Sequence, residues 1–211
     1  MSKRRGPTDF PELKEYEAVR FQVDSVTGMI DPAVRCLSQN QDRRPVGVHP
    51  ELVVIHSISL PPGEFGGPYI EELFTNQLDP LAHPFFREIE GLKVSSHLLI
   101  RRDGKFLQFV PFTRRAWHAG ESFFRSKTCC NDFSIGIELE GTDDTSYTDQ
   151  QYDVLVRVLS AIMAAYPGVT PYGVAGHCDI APGRKTDPGP YFDWLRLYDG
   201  LKMQAGAYQR S

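Results

Sequence analysis

The sequence predicts an α+β fold with helices packed against a central mixed β-sheet. Three observations carry this. Short apolar runs rich in β-branched residues recur along the chain. One long amphipathic stretch of helical period lies in the second half. A hairpin signal interrupts any regular strand–helix alternation, which disfavours a doubly wound sheet.

Residues 1–28 are polar, charged and weakly patterned, and are expected to form a loosely ordered N-terminal extension. Residues 29–205 show no linker, repeat or low-complexity tract, so one domain is expected there. Leu52-Val53-Val54-Ile55-His56-Ser57 is predicted to be a buried strand. Pro61-Pro62-Gly63 through Gly66-Gly67-Pro68 has loop chemistry, and Ile70, Leu73 and Phe74 mark a short helix. Two strands, Val94–Ile100 and Phe106–Val110, flank an Asp103-Gly104 turn. In Ser134–Leu139, period 2 puts Ile135, Ile137 and Leu139 on one face and Glu138 on the other. A helix is predicted over 149–166, with an apolar stripe from Tyr152 to Tyr166. Thr148 and Gln151 have capping-box spacing, and Pro167-Gly168 stops the run. A last helix is predicted to cover Phe192, Leu195 and Tyr198.

Composition narrows the function classes. The chain has 211 residues, with 23 Lys+Arg against 27 Asp+Glu, a net charge of -4. A nucleic-acid binder would present a basic domain, so none is expected. No apolar run reaches the length of a membrane span. The basic start, MSKRRG, lacks the apolar stretch of a signal peptide, and the four cysteines include no CxxC pair. A reduced, cytoplasmic, monomeric protein acting on a small molecule is the expectation.

Two places concentrate groups that could do chemistry. His56 lies inside the first buried strand, and GHCDIAPGRKTDPGP (176–190) carries His177, Lys185 and Asp187 on a Gly- and Pro-rich stretch. Such a stretch is expected to be an irregular loop, and loops on a rigid scaffold are where sites concentrate. Spacing allows a metal site here without establishing one. His56 equally suits a hydrogen-bonded core histidine, Asp187 a turn, Lys185 a solvated surface, and Glu138 an exposed strand position.

The segments VVIHSISLPPGEFGGPYI, SSHLLIRRDGKFLQFVPF, RAWHAGES, CNDFSIGIELEGTDDTSYT and GHCDIAPGRKTDPGP occur in this order. Together they resemble the amidase-2 family of N-acetylmuramoyl-L-alanine amidases. Within it they are most similar to the cytoplasmic amidases that act on 1,6-anhydro-N-acetylmuramyl-L-alanine. The resemblance covers about residues 29–198 and implies the fold shared with peptidoglycan recognition proteins. It implies a Zn2+ ion held by His56, His177 and Asp187, with Glu138 and Lys185 as catalytic residues. It implies hydrolysis of the amide between the lactyl group of the anhydro-sugar and L-alanine during peptidoglycan recycling. Where inducible β-lactamase is present, that activity would also lower the inducing muropeptide.

Trp117 resembles the family's sugar-stacking tryptophan, and Ser57 and His118 are candidate groove residues. Lys93 and Cys129 stand where relatives often present arginines to the stem peptide, with Arg125, Lys127 or Arg184 as substitutes. No covalent intermediate is required, so no cysteine is expected to act as a nucleophile. Two alternatives differ in class. One is a muropeptide-binding module, which the complete ligand set disfavours. The other is an envelope amidase acting on polymeric wall.

Overall fold

A computed structural model describes residues 20–208. Strands β1 (Gln22–Asp24) and β2 (Met29–Asp31) form an antiparallel hairpin, followed by β3 (Val34–Arg35) and β4 (Gln41–Arg43). Strand β5 (Leu52–Ile58) leads through a loop to helix α1 (Tyr69–Phe74). Strands β6 (Leu98–Ile100) and β7 (Phe106–Gln108) pair antiparallel, and β8 (Arg114–Ala116) returns to pair with β4. A small hairpin of β9 (Phe123–Phe124) and β10 (Lys127–Thr128) precedes β11 (Ser134–Glu140) and helix α2 (Asp149–Ala165). Strand β12 (Val174–Gly176) runs into the one-turn helix α3 (His177–Ile180), and α4 (Trp194–Tyr208) follows.

Six strands build the central sheet in the order β12-β5-β11-β6-β7-β3. The first four are parallel to one another, and β7 runs antiparallel to β6. The sheet is therefore mixed, as expected. Parallel strands covered on both faces read as continuous apolar runs, and Leu52 to Ile55 are all fully buried.

Alternation sorts the two faces. Val53, Ile55, Ile135, Ile137 and Leu139 face a core completed by α2 and α4, among them Leu155, Leu159, Leu197 and Leu201. Leu52, Val54 and Ala175 face the other way, onto Ala119, Phe133 and Ile180. His56 and Glu138 share that second face, towards the C-terminal ends of their strands. The expected capping box of α2 forms: Gln151 N–H donates to Thr148 Oγ1 at 3.2 Å, and Thr148 N–H donates to Gln151 Oε1 at 3.0 Å. The Gln151 amide also donates to the carbonyls of Ile100 and Glu140, tying the helix start to two sheet strands.

Four expectations need correction. Residues 20–28 are not a loose arm: β1 lies there, and Phe21 and Val23 pack against the main core. Residues 1–19 lie outside the described residues. Ladder pairing begins at Leu98 rather than Val94, because Ser95 N–H is spent on the Trp117 carbonyl and Ser96 Oγ on the Leu98 carbonyl. The partner strand ends at Gln108, whose buried amide donates to the Val110 carbonyl two residues on. The last helix begins at Trp194, after Phe192, because Asp193 Oδ1 accepts from Arg196 N–H at 2.9 Å and caps its start.

The loop after β5 is clamped onto the sheet end. Arg101 donates to Glu140 Oε1 at 2.6 Å, to the Gly67 carbonyl at 2.7 Å, and to Glu71. Glu140 Oε1 also accepts from Gly66 N–H at 2.7 Å. Removing one partner of a buried ion pair strands the other charge, at about 3–5 kcal/mol. Arg101→Ala should therefore lower unfolding free energy by about that amount, read by urea denaturation. A loss under about 1 kcal/mol would mean that the Glu140 carboxylate does not depend on the guanidinium.

Candidate metal centre

Three neighbouring parallel strands set the site. In the β5–β11 register His56 is paired with Glu138, so both side chains leave the sheet on the same face. Gly176 at the end of β12 is paired with Ile55, so His177, the next residue, emerges beside His56. The stretch 176–190 was expected to be irregular throughout, but His177–Ile180 is a helical turn. Asp179 makes this possible by accepting from Gly176 N–H at 2.7 Å, and the first proline comes only at 182. The chain then doubles back, with Cys178 N–H donating to the Asp187 carbonyl at 2.9 Å and Tyr147 OH donating to the Pro188 carbonyl at 2.8 Å. Gly189 (φ +79°) allows this return, because a Cβ there would lie 2.5 Å from the Asp143 Cα.

The result is a triangle. His56 Nδ1 and His177 Nδ1 are 2.9 Å apart, and each lies 3.1 Å from Asp187 Oδ2. The outer ring nitrogen of His177 assigns its tautomer. His177 Nε2 is 3.2 Å from the Ala119 carbonyl, which can only accept, so Nε2 carries the proton and Nδ1 is bare. His56 Nε2 faces His118 Nδ1 at 2.9 Å, and His118 Nε2 faces Ser134 Oγ at 3.0 Å. Burial pushes the His56 imidazole down to about 4, so it is neutral at pH 7.

Two bare imidazole nitrogens and a carboxylate oxygen at these separations repel one another unless a cation lies between them. Two neutral imidazoles and one carboxylate, with a fourth direction open, is the donor set of a catalytic zinc site. The residues present fit that ion.

A groove of about 320 Å³ opens over the triangle. Glu138 and Lys185 line it, together with Ser57, Trp117 and His118. Its far wall is apolar, built by residues such as Leu60, Phe74 and Phe85. Glu138 is half-buried, and among the described residues its Oε2 has no hydrogen-bond partner. Burial, then the charge of Asp187, raise its carboxyl well above the ordinary range, with Lys185 acting in the opposite sense.

The N-acetylmuramoyl-L-alanine amidase family model matches residues 44–190, more than two thirds of the chain. The chain belongs to that family. The AmpD protein of Escherichia coli K12, named a 1,6-anhydro-N-acetylmuramyl-L-alanine amidase, is 58% identical over 170 residues, 81% of this chain and 92% of the relative. A crystal structure of a selenomethionine AmpD derivative superimposes with a TM-score of 0.82 at 54% identity, covering 85% of this chain and 98% of that one. E. coli AmiD, solved with anhydro-N-acetylmuramic acid-L-Ala-D-γ-Glu-L-Lys, gives a TM-score of 0.53 at 30% identity, over 75% of this chain and 60% of that one.

Not every sequence-predicted residue of the amidase reaches the groove. Lys93 is exposed and borders a separate shallow pocket with Leu78 and Phe86. The proposed substitutes are engaged elsewhere. Arg125 donates to the Tyr172 carbonyl, Lys127 pairs with Glu51, and Arg184 donates to the carbonyls of Ala119 and Glu121. Cys129 lies over a different depression beside Phe123 and Pro182. All four cysteines are free, and the Cys178 sulfur lies near Asp179 rather than the triangle. His97 is fully buried below the groove, where Nδ1 accepts from Gly136 N–H at 3.0 Å. Among the described residues no helix is long and apolar enough to cross a membrane.

Sequence reasoning missed Asn131, Ser134 and the Ala119 carbonyl. None carries a motif, and their part comes only from where the chain places them.

Burial and the nearby Arg44 charge hold the His97 imidazole well below its ordinary value. The unfolded chain therefore accepts a proton near pH 6.5 that the folded state refuses, and stability falls as pH drops below that value. Each such proton contributes a slope of about 1.4 kcal/mol per pH unit. Urea denaturation of EDTA-treated protein should show a larger loss between pH 7.5 and 5.5 for wild type than for His97→Gln. Equal losses would contradict a neutral, buried His97.

Proposed function

We propose that this chain is a zinc-dependent amidase. It would cleave the bond between the lactyl group of 1,6-anhydro-N-acetylmuramic acid and the L-alanine of the stem peptide. The carrying observation is the triangle of His56, His177 and Asp187 beneath an open groove, with Glu138 beside it, whose Oε2 has no hydrogen-bond partner among the described residues. The substrate assignment is supported by the names of the relatives and by the muropeptide in the AmiD complex. Cytoplasmic recycling of soluble muropeptides is the setting we infer, with lowered β-lactamase induction where the host has that system. Phe21 to residue 205 would form the amidase domain.

When bound, zinc would polarise the scissile carbonyl and bring a water's pKa from 15.7 towards about 7. The chain's own groups divide the remaining work. His56 and His177 offer bare Nδ1 atoms because their Nε2 protons are held by His118 and the Ala119 carbonyl. Glu138 takes the attacking water's proton on its carboxylate and passes it to the leaving α-amine of L-alanine. Its raised pKa suits both halves of that transfer, since a weak acid is also a usable base near neutral pH. Lys185 is exposed at the groove edge, where its ammonium offsets the negative charge developing on the carbonyl oxygen. Trp117 presents an aromatic surface to the sugar. The apolar wall keeps bulk water from one side of the scissile bond.

Substitutions separate these roles. Glu138→Gln should lower kcat by about 10²–10⁴ with one zinc retained per chain, measured by metal analysis and steady-state assay on anhydro-muropeptide. Lys185→Met should lower kcat by about 10²–10³ with little change in KM. Asp187→Ala should abolish both zinc binding and turnover in a folded protein. Normal turnover in Asp187→Ala would remove that residue from the ligand set. Soluble anhydro-muropeptides should be cleaved in preference to intact sacculi, and the reverse order would point to an envelope enzyme.

A further inference from the structure

The dipeptide His118–Ala119 touches both histidine corners of the triangle, and from different atoms. Its first residue meets His56 through the ring, with Nδ1 2.9 Å from His56 Nε2. Its second meets His177 through the backbone, with the Ala119 carbonyl 3.2 Å from His177 Nε2. One stretch of chain thus holds the outer edges of two imidazoles that arrive from separate elements, β5 and α3, 121 residues apart in sequence.

The dipeptide is itself pinned from several sides. Asn131 Oδ1 accepts from both of its amides, His118 N–H at 3.2 Å and Ala119 N–H at 2.8 Å. Arg184 donates to the same Ala119 carbonyl at 2.7 Å, using its second lone pair. Ser134 Oγ lies 3.0 Å from the far nitrogen of His118. Beneath the ring, β11 supplies a glycine: a Cβ at Gly136 would stand 2.5 Å from His118 Cγ. The imidazole therefore rests directly on strand backbone, two residues before Glu138.

We infer that His118–Ala119 is a bracket that orients both metal-ligand imidazoles, with His118 a positioning residue for the zinc centre and Asn131 the anchor of the bracket. This rests on the zinc reading above. The direction of the bonds explains why the ring must be a histidine. With His56 Nδ1 turned to the centre as a ligand, its proton sits on Nε2, so His118 Nδ1 is the acceptor and His118 Nε2–H is directed to Ser134. A side chain of similar size without an acceptor would keep the packing on Gly136 but leave the His56 proton unpaired and its ring free to tilt. Partners of ligating imidazoles typically change metal affinity by 10- to 100-fold when removed.

The test uses the full chain, with zinc affinity measured by competition against a chromophoric chelator and the d–d spectrum of the cobalt(II)-substituted protein as a geometric readout. His118→Phe should weaken zinc binding about 10- to 100-fold and change the cobalt spectrum. His118→Gln, which can place an amide oxygen near His56, should recover part of the affinity. Asn131→Ala, which leaves every ring in place but frees the bracket, should weaken binding in the same direction. Zinc affinity within twofold of wild type in a folded His118→Phe, with an unchanged cobalt spectrum, would overturn the bracket while leaving the zinc reading intact. If His118→Phe does not fold, unchanged affinity in Asn131→Ala overturns it instead. Wild-type protein that binds no stoichiometric zinc would overturn the metal reading, and the bracket with it.

Discussion

The parallel pairing of β5 with its two neighbours is the constraint on which the site depends. A parallel register fixes which residues stand side by side, and a slip of one residue would send every side chain to the opposite face. Here it sets His56 level with Glu138 and places His177 one step beyond the Gly176–Ile55 pair. The strands are buried on both faces, so the register is held by the same apolar packing that holds the domain together. The chemistry is thereby coupled to the stability of the sheet rather than to a mobile loop.

Burial then decides protonation. Taking an imidazole out of water disfavours its charged form, and His56, His97 and His118 all shift in that direction. For His56 this keeps a lone pair available at the centre. For His97 it keeps an acceptor for the Gly136 amide, which links β6 to β11 below the groove. Glu138 shifts the opposite way for the same reason, since its charged form is the anion. One physical effect thus prepares a neutral ligand and a carboxyl with raised proton affinity on adjacent strands.

The two faces of the sheet have different work. The face under α2 and α4 is a continuous apolar core around Leu155, Leu159 and Ile162. The other face carries smaller clusters separated by polar groups, and the groove opens where Leu60 and Phe74 on one side meet the triangle on the other. Two guanidinium groups hold the edges of this second face. Arg101 secures the loop after β5, and Arg44, largely buried, donates to the carbonyls of Phe112, Asp132 and Ser134. Both satisfy backbone or carboxylate acceptors that would otherwise be stranded away from water.

The local elements were legible in the sequence because they follow from nearest-neighbour rules. The apolar run at Leu52–Ile55, the alternation through Ile135–Leu139 and the Thr148–Gln151 cap each determine a strand or a helix start without reference to the rest of the chain. The family motifs likewise marked His56, Glu138, His177, Lys185 and Asp187. Misjudgements fell where local signals are weak: the strand start near Leu98, the start of α4 beyond Phe192, and the hairpin before residue 29. What only the tertiary structure decided is which groups converge and what surrounds them. It joined three distant residues into a triangle, left Lys93 outside the groove, and set Asn131, Ser134 and the Ala119 carbonyl behind its two histidines. Those relations arise from long-range pairing and packing, which leave no periodic trace along the chain.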